Sequence, residues 1–264
     1  MQLLFGFLLA VAIAYGAYLA RGLSGSGALA ATFIGTIVFD LGGWQWAVLL
    51  LTFFISSTLL THAFRNRKQG LSEKFSKGGR RDAGQVLGNG TVAAACAVWH
   101  AAFPDQAWPW LGFAAALAAV NADTWATELG VLNASPPRLI TDLRKQVERG
   151  TSGGISLFGT GAALLGSAVI ALLAACFAVT DRWPLFWLVT LSGLLGSLFD
   201  SLLGATVQAM FYCPTDQRET ERHPLHTCGT STVHVRGWKW LTNDWVNLLC
   251  GAFGVFVVLL LVRL

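Results

Sequence analysis

The sequence predicts an all-α protein, a polytopic bundle of about eight transmembrane helices forming one domain over residues 1–264. Three observations carry that prediction. The 264 residues are 54% hydrophobic and only 12% charged, against about 25% charged in soluble domains. Several apolar runs reach about 20 residues, long enough to cross a hydrocarbon core of about 30 Å. The basic residues are gathered into a few connections between these runs, as loops held on one side of a membrane require.

The first run, at roughly 2–20, has no basic residue ahead of it, and Arg21 follows it. That is the wrong charge order for a cleaved signal peptide and reads as a first span. Further spans are expected at roughly 26–41, 44–64, 84–103, 109–130, 154–180, 184–211 and 243–262. Four connections are short: Arg21–Gly25, Leu41–Gly43, Phe103–Trp108 and Asp181–Trp183. Three are long and basic. Loop 65–83 holds Arg65, Arg67, Lys68, Lys74, Lys77, Arg80 and Arg81; loop 131–153 holds Arg138, Arg144, Lys145 and Arg149; loop 212–242 holds Arg218, Arg222, Arg236 and Lys239. Eight spans put all three, with Arg21, on the cytoplasmic face and Asp40, Asp105 and Asp181 on the other. Both termini then face away from the cytoplasm. The expected location is a bacterial inner membrane.

The net charge of +4 is modest, and no nucleic-acid partner is expected. Five cysteines form no CxxC, and their odd number argues against a disulfide framework. Cys96, Cys176 and Cys250 fall in apolar runs and read as buried packing residues. Trp44, Trp46, Trp99, Trp108, Trp110, Trp183 and Trp187 read as an aromatic belt at the non-cytoplasmic ends. His62 and His100 read as interfacial or packing residues.

The polar residues inside the apolar runs carry the functional signal, because ionisable groups in a membrane helix are costly. Asn121, Thr124 and Glu128 share one helical stripe, and Asp123 and Thr127 share the next. Asp82, Gln85 and Asn89 lie on one face of the helix that starts the fourth span. Gly193, Gly196, Asp200, Gly204 and Gln208 form a stripe of small residues carrying one carboxylate, and Asn243, Asn247 and Gly251 form another beside Asp244. All converge on the cytoplasmic ends. The sixth span is read as opening with Gly150-Thr151-Ser152-Gly153-Gly154, a glycine-rich helix start whose backbone amides suit phosphate. Carboxylates opposite such a cradle are the pairing expected of Mg²⁺–nucleotide chemistry. No P-loop, kinase catalytic loop or Rossmann fingerprint is present.

The last loop contains Cys213, Asp216, His223, His226, Cys228 and His234. These are enough soft and borderline ligands for zinc. Their spacing matches no standard pattern, so a solvated loop with two free thiols is the simpler expectation.

Six segments together resemble the DUF92/TMEM19 family of integral membrane proteins. They are Gly25-Ser26-Gly27-Ala28, Arg81 to Gly90, Ala122 to Gly130, Gly150 to Ser156, Gly196 to Ala205 and Asn243 to Asn247. The chain departs from the family pattern at Asp216, where a second cysteine is expected three residues after Cys213. The best-understood branch includes a phytyl-phosphate kinase. The resemblance therefore implies transfer of phosphate to an isoprenyl monophosphate such as phytyl or geranylgeranyl phosphate. The donor it implies is a nucleoside triphosphate, with CTP expected. Membership alone does not fix the substrate, because function resides in the site.

The expected partners are an isoprenyl phosphate, a nucleoside triphosphate and the lipid bilayer, with Mg²⁺ as cofactor. The expected catalytic residues are Asp82, Asp123, Glu128 and Asp200, the last three as Mg²⁺ ligands. Arg81, Gln85, Asn89, Asn121, Thr124, Lys145, Arg149, Thr151, Ser152, Gly153, Gly154, Asn243 and Asn247 are expected to bind substrate or nucleotide. The alternatives are a CTP-dependent lipid alcohol kinase or cytidylyltransferase, and a transporter of lipids or small molecules. A transporter is expected to place its site near the midplane of inverted repeats, and no convincing repeat is visible here.

Overall fold

The computed structural model describes residues 2–64, 79–178 and 180–262. The expected basic residues Arg65, Arg67, Lys68, Lys74 and Lys77 lie outside the described residues. A helix stands at each of the eight expected positions: α1 (Gln2–Leu19), α2 (Gly25–Ile37), α3 (Trp44–Ala63), α4 (Ala83–Ala102), α5 (Trp108–Gly130), α6 (Leu157–Phe177), α7 (Arg182–Thr206) and α8 (Asn243–Val262). A π-helical turn, Val38–Gly42, extends α2. Among the described residues, five helical segments are long and apolar enough to cross a membrane: Gly25–Gly42, α3, α6, α7 and α8.

The reason α5 is not one of them is its composition. Its middle is built largely of alanine (Ala114, Ala115, Ala116, Ala118, Ala119), and it ends in polar residues. Yet every residue from Gly112 to Ala122 is buried. A helix buried on all sides belongs to the centre of a bundle, and α5 packs against α3, α4, α6, α7 and α8. Alanine suits that place, since small side chains let several helices approach closely where lipid provides no hydrophobic drive between them. Phe113, Leu117 and Val120 fill the space between the alanines.

Asn121 cross-links this core. Its Nδ2 donates to the Gly166 carbonyl of α6 at 2.7 Å, and its Oδ1 accepts from Ser56 (3.1 Å) and Ser57 (3.3 Å) of α3. It is completely buried. Asn121→Ala is expected to destabilise the protein by about 2 kcal/mol, at about 0.6 kcal/mol per interhelical bond. Unfolding of the variant in detergent measures it, and an unchanged midpoint would contradict this assignment.

The all-α expectation misses two small antiparallel sheets. One has the order β2-β1-β3, with β1 (Arg138–Leu139), β2 (Asp142–Gln146) and β3 (Gly154–Ile155). The other has the order β5-β4-β6, with β4 (Met210–Cys213), β5 (Arg218–Thr220) and β6 (Val233–Arg236). The second is fastened to the end of α7. Arg236 donates to the Gly204 carbonyl at 2.9 Å, and the Trp238 amide to the Val207 carbonyl at 2.8 Å. Both sheets stand at the same end of the bundle, beyond the C-terminal ends of α5 and α7.

Two smaller expectations are corrected. Trp46 is buried, not part of a belt: it stacks on His100 and packs against Trp110 and Phe113. Cys176 is exposed on α6, because its position falls on the outward face of that helix. Trp44, Trp99, Trp183 and Trp187 are exposed as expected.

Candidate active site

Two parallel helices bring the central carboxylates together. Gly196 of α7 packs directly on Ala119 of α5, so closely that a Cβ there would stand 2.5 Å from the alanine's own. One helical turn further along each chain are Asp200 and Asp123. Small residues at the crossing thus set two acidic side chains against each other, and Asp123, Asp200 and Glu221 interact electrostatically as a group. One oxygen of Asp200, Oδ2, is buried without a hydrogen-bond partner.

These carboxylates line a cavity of about 1020 Å³ at one end of the bundle. Its walls come from alternate helix ends: Ala20 and Arg21 just past α1, the C-terminal parts of α3, α5 and α7, and the N-terminal parts of α4, α6 and α8. The sequence signal of polar residues gathered at one set of ends is therefore real. Asp123, Thr124, Glu128, Gln85, Asn89, Arg81, Asn243 and Asn247 all line the cavity. Glu128 accepts from Thr61 of α3 at 3.0 Å. Asn89 donates to the Gln85 carbonyl at 2.8 Å. His62, read as an interfacial or packing residue, is also among the residues that line the cavity.

Three expected residues are placed elsewhere. Asp82 is the N-cap of α4, accepting from the Gln85 amide at 3.0 Å, and is absent from the lining. Its carboxylate serves a helix start that needs such an acceptor. Asn121 is buried in the interhelical contacts described above. Lys145 is exposed on β2, whereas its neighbour Arg149 reaches the cavity wall and donates to the Ala134 carbonyl.

The glycine-rich segment does line the cavity, but it does not open a helix. Gly154 and Ile155 form β3, and Ser156 caps α6 by accepting from the Gly159 amide at 3.0 Å. The Thr151 and Gly154 amides are already used within the segment, donating to the Glu148 and Thr151 carbonyls. What the glycines provide is a docked loop. Gly153 has φ +84° and rests on Ala205 of α7, where an added Cβ would meet the Ala205 backbone nitrogen at 2.5 Å. Any side chain there meets both a strained backbone and an occupied site.

Sequence reasoning missed Glu221 and Gln208 as a pair. Gln208, almost fully buried, accepts from the Ser152 hydroxyl at 2.9 Å and donates to Glu221 Oε1 at 2.9 Å. It couples the glycine-rich loop to the segment following β5 and holds Glu221 on the cavity wall. Gln208 was visible as the last member of a small-residue stripe. Glu221 carried no local signal, since it lies in a polar loop and reaches the site only through the sheet.

Arg81 joins this cavity to a second space. An apolar groove between α1, α2, α3 and α4 is lined by Leu9, Ile13, Ile34, Leu50 and Phe54, among others, and shares Arg81, Gln85 and Asn89 with the polar cavity. The Arg81 guanidinium stands 5.4 Å from the Phe53 ring centre and 5.7 Å from that of Phe54. Burial lowers its pKa to about 10, so it remains a cation at neutral pH. Gly27 makes the position possible, because a Cβ on it would overlap the Arg81 carbonyl. The Ser24 amide donates to that same carbonyl at 2.9 Å.

The donor set suits a hard divalent cation. Three carboxylates on one cavity wall, one with an orphaned buried oxygen, offer the negative charge and the oxygen donors that would suit Mg²⁺.

A family model described as integral membrane protein DUF92 matches residues 8–255. Protein PGR of Arabidopsis thaliana is 31% identical over 94% of this chain and 92% of its own length. An uncharacterized membrane protein of Methanocaldococcus jannaschii is 32% identical over 70% of this chain and 74% of its own. Protein VTE6, chloroplastic, of Arabidopsis thaliana is 30% identical over 92% of this chain and 66% of its own. No solved structure matches.

Proposed function

The chain belongs to the DUF92 family of integral membrane proteins, and on that premise we propose that it is a prenyl-phosphate kinase. It would transfer the terminal phosphate of a nucleoside triphosphate, CTP by the family resemblance, to an isoprenyl monophosphate. The observation that carries the reading is the shared wall of Arg81, Gln85 and Asn89 between an apolar groove and a carboxylate-lined cavity. An acceptor with a phosphate head and a hydrocarbon tail would meet both spaces, the groove of about 110 Å³ taking the few carbons next to the head and the bilayer taking the rest of the tail. Those first carbons lie between α1, α2, α3 and α4, and the head meets the Arg81 guanidinium.

All eight helices are proposed to cross the membrane, with the cavity at the cytoplasmic face and both termini opposite. The basic residues Arg80, Arg81, Arg138, Arg144, Lys145 and Arg149 belong to connections at the cavity end, which supports that orientation. Nucleotide would then enter from the cytoplasm and lipid from the bilayer.

The chemistry asks for positioning and charge neutralisation more than for covalent help. An oxygen of the prenyl phosphate attacks the terminal phosphorus of the donor, and the bond to the bridging oxygen breaks. The diphosphate lipid and the nucleoside diphosphate leave. The attacking oxygen is largely ionised at pH 7, since the second pKa of a phosphate monoester is about 6, so no strong general base is required. Arg81 orients the acceptor head, and Arg149 with the docked glycine-rich loop borders the donor phosphates. Asp123, Asp200 and Glu221, with Glu128 beside them, would hold Mg²⁺, which supplies positive charge to the transferring phosphoryl group.

Arg81→Gln tests the two-space reading. The KM for the prenyl phosphate should rise about tenfold, as for loss of one charge-assisted contact of about 1.4 kcal/mol, with the KM for nucleotide unchanged. An equal rise in both would contradict it. Native mass spectrometry of the wild-type protein should also retain geranylgeranyl monophosphate in preference to geranylgeraniol. Equal retention of both would remove the phosphate from the recognition.

A further inference from the structure

Outside the cavity, the second sheet gathers four side chains of another chemistry. Cys213 ends β4, Asp216 lies in the β4–β5 turn, and His226 and Cys228 follow β5. One donor atom from each lies within 4.8 Å of all the others. Cys213 Sγ is 3.5 Å from Cys228 Sγ and 3.8 Å from Asp216 Oδ2, which stands 2.7 Å from His226 Nδ1. Cys213 and His226 are buried, Asp216 is half-buried and Cys228 is exposed at the rim.

We propose that Cys213, Asp216, His226 and Cys228 form a closed, four-coordinate structural zinc site. Donor atoms about 2.0–2.3 Å from a tetrahedral centre are about 3.3–3.8 Å from one another. The two distances from Cys213 already match, and the Asp216–His226 pair, at 2.7 Å, needs to open by at least about 0.6 Å to reach that range. Two sulfurs, an imidazole and one carboxylate form a soft-to-borderline set that excludes Mg²⁺ and Ca²⁺. The other two histidines of the loop lie against Phe211, His223 stacked at 4.4 Å and His234 edge-on at 5.5 Å, and neither belongs to the four-residue cluster.

The site has a consequence for the carboxylate cavity. Its ligands bracket β5 and the residue after it, Glu221, on both sides in sequence. Zinc closes that segment into a loop, with the Gln208 bond at its centre, and so holds Glu221 on the cavity wall. The metal would touch neither substrate nor nucleotide, and its role is positional.

The test is metal content, read without any turnover and therefore independent of the kinase reading. Full-length protein purified in detergent without chelator should carry about one zinc per chain by plasma mass spectrometry. Cys213→Ser/Cys228→Ser should carry none, while Cys176→Ser, on the outward face of α6, should match the wild type. Chelation should lower the unfolding midpoint of the wild type by roughly 5 °C or more, and leave that of the double variant unchanged. Should the double variant fail to fold, cobalt loading of chelator-stripped wild-type protein decides. Thiolate charge-transfer bands with the intense visible bands of a tetrahedral centre support the site. Substoichiometric zinc in wild-type protein, zinc retained by the double variant, octahedral cobalt bands, or a Cys213–Cys228 disulfide in freshly isolated membranes would each overturn it.

Discussion

Asp123→Asn is expected to lower turnover by on the order of a thousandfold, the scale seen when one preorganised electrostatic group is lost from an active site, while the bundle stays folded. The carboxamide keeps the size and shape of the side chain and removes its charge. Asp123 stands one turn past Ala119, where α5 meets Gly196 of α7, and interacts with both Asp200 and Glu221. Without a cation these charges oppose each other inside the bundle. Neutralising one should therefore leave the unfolding midpoint in the absence of Mg²⁺ unchanged or raised, as expected where a site holds strain that function requires. The same variant should lose Mg²⁺-dependent stabilisation. Turnover, Mg²⁺ titration and unfolding of one preparation check all three, and wild-type-like turnover would remove Asp123 from the site.

Glu221→Gln is expected to lower turnover by on the order of a hundredfold, with little change in the nucleotide KM. The glutamine keeps an oxygen that can accept from Gln208 Nε2, so the Ser152–Gln208–Glu221 connection survives while the charge does not. Glu221→Ala removes both. It should add a rise in nucleotide KM, because Gln208, which anchors Ser152 and the glycine-rich loop, loses the partner that fixes its own amide. Steady-state kinetics of the pair separates charge from scaffold. Identical behaviour of the two variants would show that Glu221 acts by charge alone. If neither variant changed turnover, Glu221 would have no part in the chemistry.

Much of the helical frame was legible because membrane helices announce themselves by long apolar runs. The place of α5 was less legible, since its alanine-rich middle and polar end read as weakly apolar although it is the most buried of the described helices. Asp123, Glu128 and Asp200 stood out because carboxylates in apolar runs are rare. The pattern could not say which polar groups bind ligands and which hold helices together. Asn121 and Asp82 share stripes with cavity residues, yet one ties α3 to α6 and the other caps α4. The glycine-rich segment was legible as a feature and misread as a helix start, since a two-residue strand, Gly154–Ile155, carries no periodicity. Glu221 and the Cys213–Cys228 cluster depend on pairing between β4, β5 and β6, which brings residues many positions apart to one place. Sequence spacing alone does not encode that.

Addition of a phosphate to a prenyl monophosphate is tested most directly by the identity of the lipid product. Purified protein in detergent, with Mg²⁺ and phytyl or geranylgeranyl monophosphate, is incubated with each common nucleoside triphosphate in turn, and the lipids are identified by mass spectrometry. The expected product is prenyl diphosphate, formed best with CTP and lost in Asp123→Asn. A CDP-linked lipid with released pyrophosphate, a monophosphate made only from the free prenol, or no lipid product with any nucleotide would contradict it.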